Sequence, residues 1–157
     1  MRIAVGVTGA ALIAGVIAGP AAAAPLHDGG ITAAELARSL RGAGFQLQQS
    51  TDRDGDPLLK SVYEGARFSV YFYECAGSPR CKSVQFAAGW AGRGLTAQQV
   101  ADWNRTKRLG RSYLDREGDP WVEMDVDLEH GATTEAVAND IDRWVAVLRK
   151  FRKYIGR

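Results

Sequence analysis

The pattern D-R-[DE]-G-D-P occurs twice, as Asp52-Arg53-Asp54-Gly55-Asp56-Pro57 and as Asp115-Arg116-Glu117-Gly118-Asp119-Pro120. Asp bonds its own backbone, Gly accepts a positive φ and Pro fixes its φ, so each copy encodes a tight reversal. Each copy also follows a helix start of the same kind: Thr32-Ala33-Ala34-Glu35 between Ile31 and Leu36, and Thr96-Ala97-Gln98-Gln99 between Leu95 and Val100. In both, the threonine can cap the helix, the Glu or Gln can reach back to the cap, and the flanking apolar residues can staple across it. From Thr32 to Asp52 is 20 residues and from Thr96 to Asp115 is 19, so the halves read helix–strand–turn–strand with one residue of slippage. Duplication and convergence on good local signals both explain the echo, and the sequence leaves the choice open. Either way, with two strand patterns between the copies and a last helix after them, the order is α-β-β-β-β-α-β-β-α.

The intervening patterns fit this order. Leu36 and Leu40 share a helix face that Gly42 and Gly44 end. Phe45 and Leu47 alternate with Gln46 and Gln48, predicting a half-buried strand, and a second strand covers Leu58–Tyr63. Over Arg67–Cys75, Phe68, Val70 and Phe72 point one way and Tyr71 and Tyr73 the other. Val84, Phe86, Ala88 and Trp90 then alternate with Ser83, Gln85 and Ala87, pairing this segment with Arg67–Cys75 as a hairpin. Val122, Met124, Val126 and Leu128 alternate with Glu123, Asp125 and Asp127, and Val137, Ile141, Trp144, Val145, Leu148, Phe151 and Ile155 trace one face of a long final helix. The expected fold is α+β: a single twisted antiparallel sheet with packed helices.

The chain opens with one cation, Arg2, an apolar run from Ile3 to Ala18, and the small-residue stretch Ala21-Ala22-Ala23. These are the parts of a secretory signal peptide cleaved after Ala23, which defines residues 1–23 as leader and 24–157 as the mature domain. The run is shorter than the roughly 20 residues of a spanning helix, so no membrane attachment is expected once the leader is gone. The route implied is the general secretory one, to the periplasm or beyond the cell. In that oxidising setting the two cysteines, Cys75 and Cys81, read as a disulfide at the hairpin tip, with Gly77 and Pro79 supplying the reversal. Two thiols without nearby His or Cys partners make a poor metal site.

Composition excludes several function classes. The 157 residues carry 20 Lys and Arg against 18 Asp and Glu, too even for a nucleic-acid footprint. The cations Arg149, Lys150, Arg152, Lys153 and Arg157 suit the negative end of the last helix. His27 and His130 are the two histidines, neither near a nucleophile pattern. The Asp-rich turns place glycine fourth, where a calcium loop needs it sixth, so they read as turns. Glu123, Asp125 and Asp127 read as a solvated sheet face that Arg111 can partly neutralise. No catalytic residue, metal or cofactor is expected. Trp144 belongs to the core stripe, while Tyr71, Tyr73 and Trp121 fall on the polar faces of their strands and are the first candidates for a binding surface.

The segments Phe72-Tyr73-Glu74-Cys75, Cys81-Lys82-Ser83-Val84-Gln85-Phe86, Trp103-Asn104-Arg105, Arg108-Leu109-Gly110-Arg111-Ser112-Tyr113-Leu114-Asp115 and Met124-Asp125-Val126 resemble, in this order, the exported branch of the YbjN family. The pattern there is roughly F-Y-x-C, C-x-S-hydrophobic-Q-F, W-N, R-F-G-R-hydrophobic-hydrophobic-L-D and M-D-V; Leu109 departs from it by replacing an aromatic residue. The resemblance spans about Thr32 to Phe151. It implies a fold similar to class I type III secretion chaperones and a role in sensory-transduction regulation, with no catalytic residues to carry over. Trp103, Asn104 and Arg108 join the candidate surface as its second choice.

The expected function is that of an exported, non-enzymatic interaction or sensing module with a protein partner, not nucleic acid. A homodimer stays open, and the alternative is a periplasmic holdase for extended clients. N-terminal sequencing of the exported protein is expected to begin at Ala24 or Pro25; an intact Met1 in the mature fraction overturns the leader assignment.

Overall fold

The computed structural model describes residues 29–92 and 94–156; the expected leader, its cleavage site and His27 lie outside them. The elements run β1 (Ile31–Thr32), α1 (Ala33–Gly42), β2 (Gln48–Thr51), β3 (Pro57–Tyr63), β4 (Ala66–Tyr73), β5 (Arg80–Cys81), β6 (Ser83–Gly89), α2 (Ala97–Thr106), β7 (Arg111–Leu114), β8 (Pro120–Asp127) and α3 (Thr134–Tyr154). Apart from the two-residue strands β1 and β5, which pair only with each other, this is the order the doubled motif predicts. The main sheet is β2-β3-β4-β6-β8-β7, antiparallel throughout.

Both halves are built by the same local bonds. At α1 the Glu35 N–H donates to Thr32 Oγ1 at 3.2 Å and the Thr32 N–H donates to Glu35 Oε2 at 2.9 Å. Gln99 and Thr96 repeat those bonds at α2 with the same two distances. In the first turn Asp52 Oδ1 accepts from the N–H groups of Asp54 and Asp56; in the second, Asp115 Oδ1 accepts from those of Glu117 and Asp119. Carboxylate acceptance closes each loop and leaves the glycine, Gly55 or Gly118, to take the positive φ. Among the described residues no group of three or more His, Cys, Asp or Glu is placed to hold a metal ion.

The helices supply one side of the core. Val137, Ile141, Trp144, Leu148, Phe151 and Ile155 are buried as the stripe predicts; Val147 joins them and Val145 is only half-buried. Trp144 packs between Phe68 of β4 and Phe86 of β6, with ring centroids 5.9 and 5.6 Å away. Phe151 packs on Trp90 and on Trp103 of α2. Phe68 and Phe86 share the sheet face carrying Val70, Phe72, Val84 and Val122, and Leu36 and Leu40 of α1 and Trp103 of α2 belong to the same buried cluster, so the three described helices pack on this one face.

One strand sits later than its alternation suggests. Phe45 and Leu47 do not enter the sheet; Phe45 tucks against Phe68 at 5.6 Å, and pairing begins only at Gln48 opposite Lys60. The chain there is anchored by aromatic packing before it can pair antiparallel with β3, which leaves a short edge strand with all four side chains exposed.

Cys75 and Cys81 form the expected disulfide. It seats β5 against β1, with Ile31 opposite Cys81. The Arg80 guanidinium then donates to the Gly30 carbonyl at 2.6 Å and to Glu35 Oε1 at 2.7 Å. Only glycine fits at position 30, where φ is +110° and an added Cβ would stand 2.2 Å from the Cys81 carbonyl oxygen. Burial works to raise the Glu35 carboxyl, but the Thr32 N–H and the Arg80 guanidinium outweigh it and hold the group below its ordinary value. The hairpin tip and the start of α1 are thus one clamp. The double variant Cys75→Ser/Cys81→Ser is expected to lose about 2–3 kcal/mol in denaturant unfolding, the loop-closure contribution of so short a ring. Far-ultraviolet circular dichroism should stay unchanged, because the main sheet pairs without the link.

Candidate functional site

The uncovered sheet face follows from strand parity. Side chains alternate, so the register that buries Phe68, Val70 and Phe72 turns Ser69, Tyr71 and Tyr73 outward on β4. Cross-strand pairing sets Leu58 beside Tyr71, Tyr71 beside Gln85 and Gln85 beside Asp125. The neighbouring row runs Ser69, Ala87, Glu123 and Arg111, and the next Gly89, Trp121 and Tyr113. Tyr71, Tyr73 and Trp121, separated in sequence, therefore share one surface. Tyr73 is 43% exposed and stands nearest the disulfide, while Tyr71 and Trp121 are half-buried.

The polar groups of this face are tied together. Tyr73 donates to Gln85 Oε1 at 3.4 Å, and Gln85 Nε2 donates to Asp125 Oδ1 at 2.7 Å. Glu123 accepts from Arg111 at 2.8 Å and from Tyr113 at 2.7 Å. Glu123 was expected to be solvated with Asp125 and Asp127, yet it is only 8% exposed while those two are exposed. Its central row, between Ala87 and Arg111, lets Tyr113 and Arg111 close over it, and their two bonds satisfy its charge. Burial, followed by the bond to Glu123 and its charge, pushes the Tyr113 hydroxyl far above the ordinary phenol range. Burial and the charge of Glu123 raise Tyr73 in the same direction.

Trp121 is held from three sides. It stacks on Tyr113 at 6.4 Å with the rings 12° apart, and its indole N–H donates to Asp115 Oδ2 at 2.9 Å. That indole bond, working against burial and aided by backbone N–H donors, holds the Asp115 carboxyl below its ordinary value. Beneath the ring is Gly89, where a Cβ would stand 2.4 Å from the indole; the glycine is the seat of the tryptophan.

The second-choice candidates divide. Trp103 is a correction: at 1% exposed it is core, with its indole N–H on the Gly110 carbonyl at 2.8 Å, so it offers no surface. Asn104 is also structural. Its amide donates to the Ser112 carbonyl at 3.0 Å and accepts from the Ser112 N–H at 2.8 Å, pairing edge strand β7 as a neighbouring strand would. Arg108 is exposed but lies on the helix side, in a cleft with α3, apart from the tyrosines. Tyr113, Leu58 and Asp115 belong to the open face and were not singled out from sequence. The alternation Arg111-Ser112-Tyr113 holds the signal for Tyr113, but Ser112 does not mark itself as the buried position.

Fold and face together define a one-sided antiparallel α+β domain. Residues 32–157 match the YbjN family, described as "Putative bacterial sensory transduction regulator", and the chain belongs to that family. The match begins at the Thr32 cap and takes in every strand of the main sheet. No curated protein and no solved structure matches the chain. No described helix is long and apolar enough to cross a membrane.

Spectrophotometric titration of the folded protein at 295 nm is expected to show a raised step from Tyr113, above the also-raised Tyr73. Tyr113→Phe should remove that step. Glu123→Gln should bring it only part of the way down, because burial, the larger cause, remains.

Proposed function

We propose that the protein is an exported, non-enzymatic interaction module of a signalling system, which engages a protein partner through the open sheet face around Tyr71 and Tyr73. The observation that carries this reading is the placement of the three described helices on one side of a six-stranded sheet, which leaves a face of aromatic rings and acidic groups uncovered by them. Aromatic side chains supply large contact area at low entropic cost, which is why they dominate interface energetics. The polar network holds this face in one shape before any partner arrives, reducing the ordering that association demands. Family membership supports the regulatory setting, and the leader-like opening supports export.

One observation favours a holdase as the second reading. The edge strand β2 carries Gln48, Gln49, Ser50 and Thr51 with no strand beyond it among the described residues, beside a groove of about 970 Å³. An extended client could add there as a further strand. Four residues make a short template, and the edge is polar, so the face reading is preferred.

A photo-reactive residue at position 73 is expected to cross-link a specific envelope partner, whereas one at position 49 should not. Tyr71→Ala and Tyr73→Ala should each weaken capture of that partner by about tenfold or more, the effect of truncating an interface anchor. Melting should stay close to wild type for Tyr73→Ala. Trp121→Ala is a poorer probe, since it uncovers Gly89 and frees the Asp115 carboxylate. Cross-linking from position 49 alone would transfer the function to the sheet edge.

A further inference from the structure

We propose that the cleft between the end of α2 and α3 binds a small amphiphile carrying a phosphate group, a site independent of the sheet face. The cleft has a volume of about 750 Å³, and its polar rim is cationic: Lys107 and Arg108 from the chain leaving α2, Arg143 and Lys150 from α3. None of its lining residues is acidic. Arg143 is partly answered by Asp140 at 2.8 Å, but among the described residues no carboxylate pairs with Lys107, Arg108 or Lys150. Lys107 instead lies over the Trp103 ring, 5.8 Å from its centroid. Like charges held around one concavity repel, and an anion seated among them relieves that repulsion.

The ligand class follows from the number and kind of these groups. A single carboxylate would leave most of the cations unanswered, whereas a phosphate offers oxygens to the planar fork of Arg108 and to the ammonium groups together. The volume falls in the range of small-ligand clefts, roughly 300–1,000 Å³, and exceeds what an inorganic anion fills. Apart from Thr106, the remaining lining is apolar. Leu109 is 48% exposed beside the cations, and Ala146 and Val147 lie on the α3 wall. An exposed leucine within a ring of cations is the arrangement that rewards a ligand with a charged head and a hydrocarbon part. The cleft is made by the way α2 ends: Trp103 is fixed to Gly110 and Phe151, so the intervening Lys107-Arg108-Leu109 stands out against α3.

Calorimetric titration of the full mature protein with dihexanoyl phosphatidic acid below its critical micelle concentration, with inorganic phosphate and with hexanoate tests this. Phosphatidic acid should bind at least about tenfold more tightly than inorganic phosphate, because the apolar floor adds to the head-group contacts, and hexanoate should bind weakest. Arg108→Ala/Lys150→Ala should weaken phosphatidic acid and phosphate by about tenfold or more with unchanged melting, since both side chains are exposed. Leu109→Ser should weaken phosphatidic acid alone. Equal affinity for phosphate and phosphatidic acid, or indifference to the double variant, overturns the proposal. Vesicles of phosphatidylglycerol separate the sources of the head group. Sedimentation with them that dihexanoyl phosphatidic acid competes away means that a bilayer lipid can fill the same cleft; sedimentation that it leaves intact means adsorption to a charged surface and also overturns the site.

Discussion

The packing of α3 across a single face of the sheet is the constraint from which the rest follows. Trp144 inserts between Phe68 and Phe86, joining the two central strands to the helix, and Phe151 extends the contact to Trp90 and Trp103. Burying such aromatic area is the largest favourable term available to a domain of this size. Because α1 and α2 join the same layer, the burial is one-sided. The opposite face must then present a broad antiparallel surface that none of the described helices covers. It does so with a mixture of rings and charges, not with lysines alone, and that mixture separates it from an ordinary solvated sheet face.

Glu123 shows how this face is organised. A carboxylate in the middle of a sheet loses hydration to its larger neighbours, and an unpaired charge there would cost several kcal/mol. Arg111 and Tyr113 arrive from the same adjacent strand, two residues apart, so one short strand answers both carboxylate oxygens. Tyr113 in turn gives Trp121 a ring to stack on, and Trp121 reaches Asp115 in the turn that starts its strand. The acidic turn is therefore part of the face: its first carboxylate closes the loop with one oxygen and orients an indole with the other.

Much of this was legible in sequence because it is local. Capping boxes, Asp-Gly-Asp-Pro turns and strand alternation each specify their bonds within a few residues, and the order of elements, the disulfide and the outward Tyr71 and Tyr73 followed from them. What escaped depends on partners distant in the chain. Trp103 lies in an exposed-looking helix whose Ala101, Asn104 and Arg105 are exposed; contact with Phe151 and Tyr154, 48 and 51 positions on, helps make it core. The burial of Glu123 depends on which strand lies at the β7 edge. Arg80 reads as a loop cation, and nothing near it signals that it will bridge to Glu35, 45 residues earlier.

The two halves use the same local instructions yet end differently, and the difference sets what each side of the molecule presents. After the Asp-Pro of the first turn comes Leu58, and after that of the second comes Trp121; both face the open side, but only the second supplies a ring and a polar handle. At the helices the contrast reverses. The start of α1 is closed by the clamp of Arg80, Gly30 and the disulfide loop, which fills the space around its cap. At α2 no such loop arrives among the described residues. The helix is secured near its end instead, by Trp103 on Gly110 and Asn104 on Ser112, and the chain between them bulges with its three exposed residues against α3. One local design repeated twice has thus been fixed by different long-range contacts, placing acidic and aromatic groups on the sheet side and a cleft with a cationic rim on the helix side. Asn104, bonded twice to Ser112, ties the end of α2 to β7, and β7 pairs with β8, so the helix layer and the sheet are joined at this edge by side-chain as well as backbone bonds.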